Sequence, residues 1–237
     1  MKIVIYNEHN EHHTQGDTLK SYPNGIHGAL EELFKENNHE VKVFTHKNIN
    51  NLTKEDLDDC DVMVWWGHMM HWHVEDSIVD LVCDSVLKGM GFIALHSSHL
   101  AKPFKKLMGT SCTLKWREIG EKERVWVVDP QHEIAKGLNE YFEIPHEEMY
   151  GEHFDIPTPD ELVFIGWFAG GEVFRSGCCY KRGYGKVFYF QPGHETNPVY
   201  YQKDVQQVLL NAVNWAKPNI KKEKLDCPNI TKPLENI

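Results

Sequence analysis

Residues 61–96 decide the fold: DVMVWWGHMMHWHVEDSIVDLVCDSVLKGMGFIALH. Asp61-Val62-Met63-Val64-Trp65-Trp66-Gly67 is apolar almost throughout, which predicts a strand covered on both faces rather than one face open to water. After an exit at residues 68–73, Val74, Ile78, Val82 and Val86 recur at helical spacing, with Glu75, Asp76, Asp80 and Asp84 elsewhere. Gly89 predicts the helix stop. Gly91-Phe92-Ile93-Ala94-Leu95-His96 is a second buried strand. Strand, helix, strand at this spacing is a βαβ unit, and such units build a parallel sheet.

The pattern continues outward. Residues 2–6 (Lys-Ile-Val-Ile-Tyr) predict a first strand, and residues 7–25 a polar loop. Ile26, Ala29, Leu30, Leu33 and Phe34 line one helical face, and residues 40–45 form another strand. Residues 53–57 predict a short helix capped by Thr53. In the second half, residues 115–129 read as two strands about a turn at Gly120, and residues 132–138 as a short helical piece. Residues 162–168, 178–181 and 186–191 read as strands, the last two joined by Arg182-Gly183-Tyr184-Gly185. A final helix begins at Pro198 with Asn197 as its cap and ends before Pro218. The expectation is an α/β fold: a mostly parallel sheet with helices on both faces and extra antiparallel strands in the second half. Residues 1–217 form a single domain and residues 218–237 a polar tail or surface arm.

The formal net charge is −10. That argues against nucleic acid or an anionic membrane as partner, since both select a basic face. No apolar run approaches the length of a membrane helix. The six cysteines include no C-x-x-C pair and several lie in apolar segments, so the reading is a reduced, cytoplasmic protein.

The unusual residue is histidine, 15 of 237. His9, His12 and His13 follow the first strand; His68, His71 and His73 follow the third; His96 and His99 follow the fourth. His146 and His153 fall in the segment 145–154, read as irregular, and His194 follows the strand ending at Gln191. In a doubly wound sheet, ligands bind beyond the carboxyl ends of the strands. Imidazole offers what Ser or Asn does not: a pKa near neutrality and a nitrogen that binds first-row metals. Polar loops collect histidine without function too, but so many at one kind of place predict a metal site or acid–base chemistry.

Four segments carry the candidates. Around residues 65–73, His68 and His71 can aim at one point if the turn is helical, although the H-E-x-x-H of a metalloprotease is absent. At His96-Ser97-Ser98-His99 a sharp strand-to-helix turn would present a side chain as a nucleophile elbow does, but without the G-x-S-x-G glycines. His96 fits a ligand or base better than a nucleophile. Glu148, between His146 and His153, can complete a metal shell. His194-Glu195 suits a metal ligand or an oriented base.

Val64-Trp65-Trp66-Gly67-His68, Ala94-Leu95-His96-Ser97, Glu147-Glu148-Met149-Tyr150 and Gly185-Lys186-Val187-Phe188-Tyr189 through Pro192-Gly193-His194 resemble the ThuA-like trehalose-utilisation family, over roughly residues 2–217. The resemblance implies the flavodoxin-like fold of class I glutamine amidotransferases and a carbohydrate-related role. Those amidotransferases carry a cysteine at the elbow after the fourth strand, and a His and a Glu after a late strand. Here the elbow reads His96-Ser97, and His194-Glu195 meets the His/Glu place only loosely, lacking the intervening proline. Without the thiol, glutamine amidotransferase activity is not implied.

The leading expectation is a metal-dependent enzyme, a hydrolase or isomerase, acting on a sugar or sugar derivative. A divalent metal, zinc being the expected ion, is assigned to His68, His71, His96 and His194, with Glu148 a further candidate. Catalytic roles fall to His194, Glu195 and Glu148, and substrate contacts to Trp66, Ser97 and Tyr150. Trp65, Trp66, Trp72 and Trp167 serve core packing or sugar stacking. The partner is a small-molecule carbohydrate, and a homo-oligomer is compatible with this reading. The alternatives are a non-catalytic sugar-binding or regulatory protein, and a metal-free serine- or histidine-dependent hydrolase.

Overall fold

The computed structural model describes residues 1–235. In chain order the elements are β1 (Lys2–Asn7), α1 (Gly16–Ser21), α2 (Gly25–Glu36), β2 (Glu40–Thr45), α3 (Lys54–Asp58), β3 (Val62–Trp66), α4 (Asp76–Leu87) and β4 (Gly91–Leu95). There follow α5 (Lys102–Met108), β5 (Lys115–Val127), β6 (Tyr141–Gly151), β7 (Glu161–Phe168), β8 (Val173–Arg182), β9 (Gly185–Phe190) and α6 (Lys203–Ala216). The nine strands form one sheet in the order β2-β1-β3-β4-β9-β8-β7-β5-β6. β2, β1, β3, β4 and β9 run parallel, and β9, β8, β7, β5 and β6 antiparallel. This is the mixed sheet expected from the sequence.

The unbroken apolar strands are explained by parity. Val4, Tyr6, Met63, Trp65, Phe92, Ala94, Val187 and Tyr189 face one core, against α3, α4 and α5. Ile3, Ile5, Val62, Val64, Trp66, Ile93, Leu95, Phe188 and Phe190 face the other, against α2 and α6. Successive side chains point to opposite faces, and here both faces are dry, so neither parity is polar. Each fully buried Leu, Ile, Val or Phe contributes about 1.5–3 kcal/mol. Because the central strands are parallel, β1, β3, β4 and β9 end at one edge, and their exits converge there.

Four expectations are corrected. Residues 115–127 form one long strand rather than two. Gly120, at φ +66°, lets it bend, and register shifts between Arg117 and Glu123 mark a bulge. The segment expected to be irregular, 145–154, is mostly the end of β6, whose burial alternates until Glu147 and then stays complete to Gly151. Cys178 and Lys181 belong to a longer strand, β8. The last helix starts at Lys203; Val199–Tyr201 is a separate 3-10 turn. All six cysteines are free thiols. Among the described residues of the expected tail, 218–235, Lys221 Nζ donates to the carbonyls of Asp58 and Cys60 at 2.9 and 2.7 Å; residues 236 and 237 lie outside the described residues. Among the described residues, no helix is long and apolar enough to cross a membrane.

Candidate functional site

The elbow predicted after β4 is present. His96 has φ +50° and opens a 3-10 turn over His96–Leu100. A non-glycine residue in this left-handed region costs of order 1–2 kcal/mol and persists only where its surroundings enforce it. The two serines after it do the enforcing. Ser97 Oγ donates to the Gly67 carbonyl at 2.8 Å. Ser98 Oγ donates to the Trp65 carbonyl at 3.0 Å and accepts from the Gly67 amide at 2.8 Å. The exits of β3 and β4 are thereby tied together.

His96 is fully buried and points at β6. Its Nδ1–H donates to the Gln191 carbonyl at 2.9 Å, which leaves Nε2 facing Glu148 Oε2 at 3.0 Å. Burial alone would lower its pKa, but the hydrogen bond to Glu148 and the charges of Glu147 and Glu148 outweigh it and hold the ring at about 9. For Glu148 burial works upward, and His96 overcomes it, so the carboxyl stays below its ordinary range. The Tyr150 ring stacks on His96 with centroids 5.0 Å apart, its hydroxyl 3.4 Å from Nε2. His194 completes the group, its Nε2 lying 3.9 Å from Glu148 Oε2. That nitrogen is buried without a hydrogen-bond partner. Burial first, then the His96 charge, keeps His194 neutral. The donor atoms of His96, Glu148 and His194 all lie within 4.8 Å of one another.

Glu147, adjacent to Glu148 but on the opposite face of β6, anchors this arrangement. It is fully buried. Oε1 accepts from the amides of Glu148 at 2.9 Å and His194 at 3.1 Å, and Oε2 accepts from the amide of Gly193 at 2.8 Å. Gly193 is required here: its φ is +139°, and an added Cβ would fall 1.9 Å from the Tyr200 hydroxyl.

A second group, His13, His68 and Glu195, also brings three donor atoms within 4.8 Å. Glu195 Oε1 lies 2.9 Å from His68 Nδ1, and its Oε2 lies 3.7 Å from His194 Nε2. Burial would raise the Glu195 pKa, but His68 pulls it down to about 2. Burial opposes charge on His68, and Glu195 overcomes it, so that ring is shifted upward. Behind the pair, Glu8 accepts from the amides of His68 and Met69 at 2.8 and 3.0 Å.

A ligating histidine hands its other N–H to a carbonyl or carboxylate, and His96 does so at Gln191. The Thr196 amide donates to His194 Nδ1 at 3.3 Å, and the Thr196 hydroxyl lies 2.8 Å from the same nitrogen. Ligation through Nε2 requires the other tautomer, in which Nδ1–H donates to that hydroxyl. Among the described residues, His13 has no such hydroxyl: its Nδ1 accepts the Asn10 amide at 3.2 Å. Burial lowers its pKa to about 4, so its Nε2 carries the proton and is a donor rather than a ligand.

Among the described residues, Glu8, Glu123, Glu147, Glu148 and Glu195 are all buried, and none has a Lys or Arg within 4.0 Å. Glu123 Oε2 has no partner at all, and burial raises that carboxyl well above its usual range. The edge is rich in buried carboxyl groups, and its positive charge comes from imidazoles alone.

A cleft of about 340 Å³ opens onto this edge, lined by His68, Ser97, His99, Leu100, Thr113, Leu114, Trp116, Glu118, Glu148 and Tyr150. Of the residues expected at the site, His96, Glu148 and His194 come together, Tyr150 packs on His96, and His68 and Glu195 pair beside them. His71 belongs to neither of the groups at this edge; it folds back over Gly67, its Nδ1 3.4 Å from where a Cβ there would sit. Ser97 reaches the cleft with its hydroxyl already committed. Trp66 is corrected: it is fully buried and its indole N–H donates to the Gly193 carbonyl at 3.1 Å, so no face is open to a sugar. Sequence reasoning missed His13 as a close neighbour of Glu195, and missed Glu147, Trp116 and Glu118. Glu147 stands in the Glu147-Glu148-Met149-Tyr150 motif without an assigned role, and alternation along residues 115–121 was the only signal for Trp116 and Glu118.

The ThuA family, described as trehalose utilisation, matches residues 2–216. No curated protein matches the sequence. A solved ThuA-like protein from Parabacteroides merdae is similar at 14% identity, covering 94% of this chain and 92% of that one with a TM-score of 0.70. A cytoplasmic protein from Salmonella typhimurium is 11% identical over 92% of this chain and 100% of its own, TM-score 0.67. A glutamine amidotransferase from Thermotoga maritima is 14% identical over 90% and 96%, TM-score 0.53. At these identities the likenesses concern the fold.

Proposed function

The chain belongs to the ThuA family, and from that premise we propose that it is an enzyme acting on a sugar or sugar derivative, with a divalent cation such as zinc held by His96, Glu148 and His194. The family's description, trehalose utilisation, supplies the substrate class. One observation carries the cation: three donor atoms converge within 4.8 Å at an edge whose buried carboxyl groups have no Lys or Arg. Tetrahedral zinc with bonds of about 2.0–2.1 Å sets its ligands about 3.3 Å apart. The 3.0 and 3.9 Å separations to Glu148 Oε2 bracket that value. The unpartnered Nε2 of His194 would then have its partner.

A cation there would polarise a substrate oxygen or lower the pKa of a bound water. The chain's own groups divide the rest of the work. Tyr150, whose pKa is raised well above 10 by burial and by Glu148, stays protonated beside His96. Glu195 stays ionised and orients His68, whose ring lines the cleft, as a proton carrier. Ser97 and His96 stand where a thiol would be needed for thioester chemistry, so a thiol-dependent glutamine amidotransferase is not supported.

The test is metal analysis of the purified protein and of His96→Ala and His194→Ala, with turnover measured on a panel of sugars and oxidised sugars. One equivalent in the wild type, lost in both variants, is expected. Metal-free wild type, or metal retained in both variants, defeats the assignment. Bound metal with no turnover favours a sugar-binding or regulatory protein.

A further inference from the structure

We propose that Trp116 and Glu118, on the outer rim of the cleft, form the platform that selects its ligand, and that the ligand is an uncharged sugar ring rather than a sugar phosphate or sugar acid. This rests on the sugar half of the proposed function and not on the cation.

The placement follows from the β5–β6 pairing. Trp116 lies directly opposite Tyr150, so the two side chains share a face of the ribbon. Two residues along each strand, Glu118 and Glu148 return to that face. All four line the same cleft. They differ in depth: Tyr150 and Glu148 are 2% and 6% exposed, whereas Trp116 is 66% exposed. The inner pair faces His96. The outer pair faces incoming solute, and Glu118 Oε1 also lies 3.5 Å from His194 Nε2. The bulge beyond Glu118 ends regular pairing there, and bulges of this kind re-aim side chains beside sites.

A solvent-facing indole on a cleft wall offers a flat apolar face, and the C–H face of a pyranose is a flat apolar surface suited to it. A carboxylate two residues away accepts hydrogen bonds from ring hydroxyls. The lining contains no Lys or Arg, while Glu118 and Glu148 stand in it and Glu195 lies behind. A phosphate or carboxylate on the ligand would face these charges across a few ångström with no Lys or Arg to receive it, the rings of His68 and His96 being already paired with Glu195 and Glu148.

Calorimetric titration with trehalose, glucose, glucose 6-phosphate and glucuronate tests this on the purified full chain, with metal content read on the same samples. Neutral sugars should bind at least about tenfold tighter than the anionic ones, a difference of about 1.4 kcal/mol. Trp116→Ala should weaken neutral-sugar binding about tenfold, whereas Trp116→Phe, which keeps an aromatic face, stays within about threefold. Glu118→Gln should narrow the gap between neutral and anionic ligands. Both positions are exposed, so folding is not at stake, and melting curves verify it. Equal binding of anionic and neutral sugars overturns the proposal. So does neutral-sugar binding that Trp116→Ala leaves unchanged, including the case where that variant alters only oligomeric mass. Those two results leave the proposed function standing; no binding of any sugar defeats the sugar reading and this inference together. Metal content, read separately, decides the cation.

Discussion

If His96 both carries a proton and serves as a ligand, cation binding must expel that proton, and affinity must depend steeply on pH. In the metal-free chain, burial disfavours the imidazolium, but Glu148 at 3.0 Å and the charges of Glu147 and Glu148 hold its pKa at about 9. At pH 7 removal of that proton spans about two pH units. At about 1.4 kcal/mol per unit, this takes about 3 kcal/mol from the intrinsic binding free energy, roughly a hundredfold in apparent Kd. The apparent affinity for zinc should therefore rise about tenfold per unit from pH 6.5 to 8.5 and level off near pH 9. About one proton should be released per ion at pH 7. Calorimetry in two buffers of different protonation enthalpy counts that proton directly, and chelator competition at several pH values gives the slope. An affinity flat across this range, with no proton released, would refute the reasoning: His96 would then be either neutral or not a ligand.

Three further outcomes follow from the same geometry. Glu147→Gln places an amide N–H against one of the three backbone amides that now donate to a carboxylate, and should cost about 1–3 kcal/mol and loosen His194; an unchanged melting curve and unchanged zinc affinity would count against the clamp. Gly193→Ala, with its Cβ 1.9 Å from the Tyr200 hydroxyl at φ +139°, should destabilise by more than about 2 kcal/mol in urea. Glu195 is held at about 2, below its unfolded value, so its contribution is complete above about pH 4.5 and is lost as pH falls toward 2; acid melts of the metal-free protein should show this slope, reduced in Glu195→Gln.

The central strands were legible because both faces are dry, so residues 62–66 and 91–95 announce themselves by composition. β6 was not. Its inner half carries Glu147 and Glu148, and a strand with buried carboxyl groups looks like an acidic loop until their partners are known. Those partners are amides at 193 and 194 and the ring of His96, which no local pattern supplies. β5 was split at Gly120 because a glycine amid polar residues signals a turn as well as a bend within a strand. The helix after Pro198 was placed early because Asn197-Pro198 has the composition of a helix start, while the chain makes only a 3-10 turn there. Eleven of the fifteen histidines fall by that reading at exits or in irregular segments, which directs attention to the carboxyl edge of the sheet, although His146 lies within β6. Which of them share a point depends on side-chain directions across four strands. His68 and His71, three apart, diverge, whereas His96 and His194, far apart in sequence, meet. Trp66 and Trp116 show the same limit: only burial tells a core indole from one on a cleft wall.

Glu147 grips main-chain N–H groups at residues 193 and 194, not their side chains. The course of that loop is therefore indifferent to which side chains stand on it, provided residue 193 remains glycine. A lineage that exchanged His194 or Glu195 for other functional groups would inherit the same loop, held by the same carboxyl, at the same edge of the sheet. The clamp thus separates heritable scaffold from replaceable chemistry, so a new reaction at this edge is reachable by point substitution without rebuilding the loop.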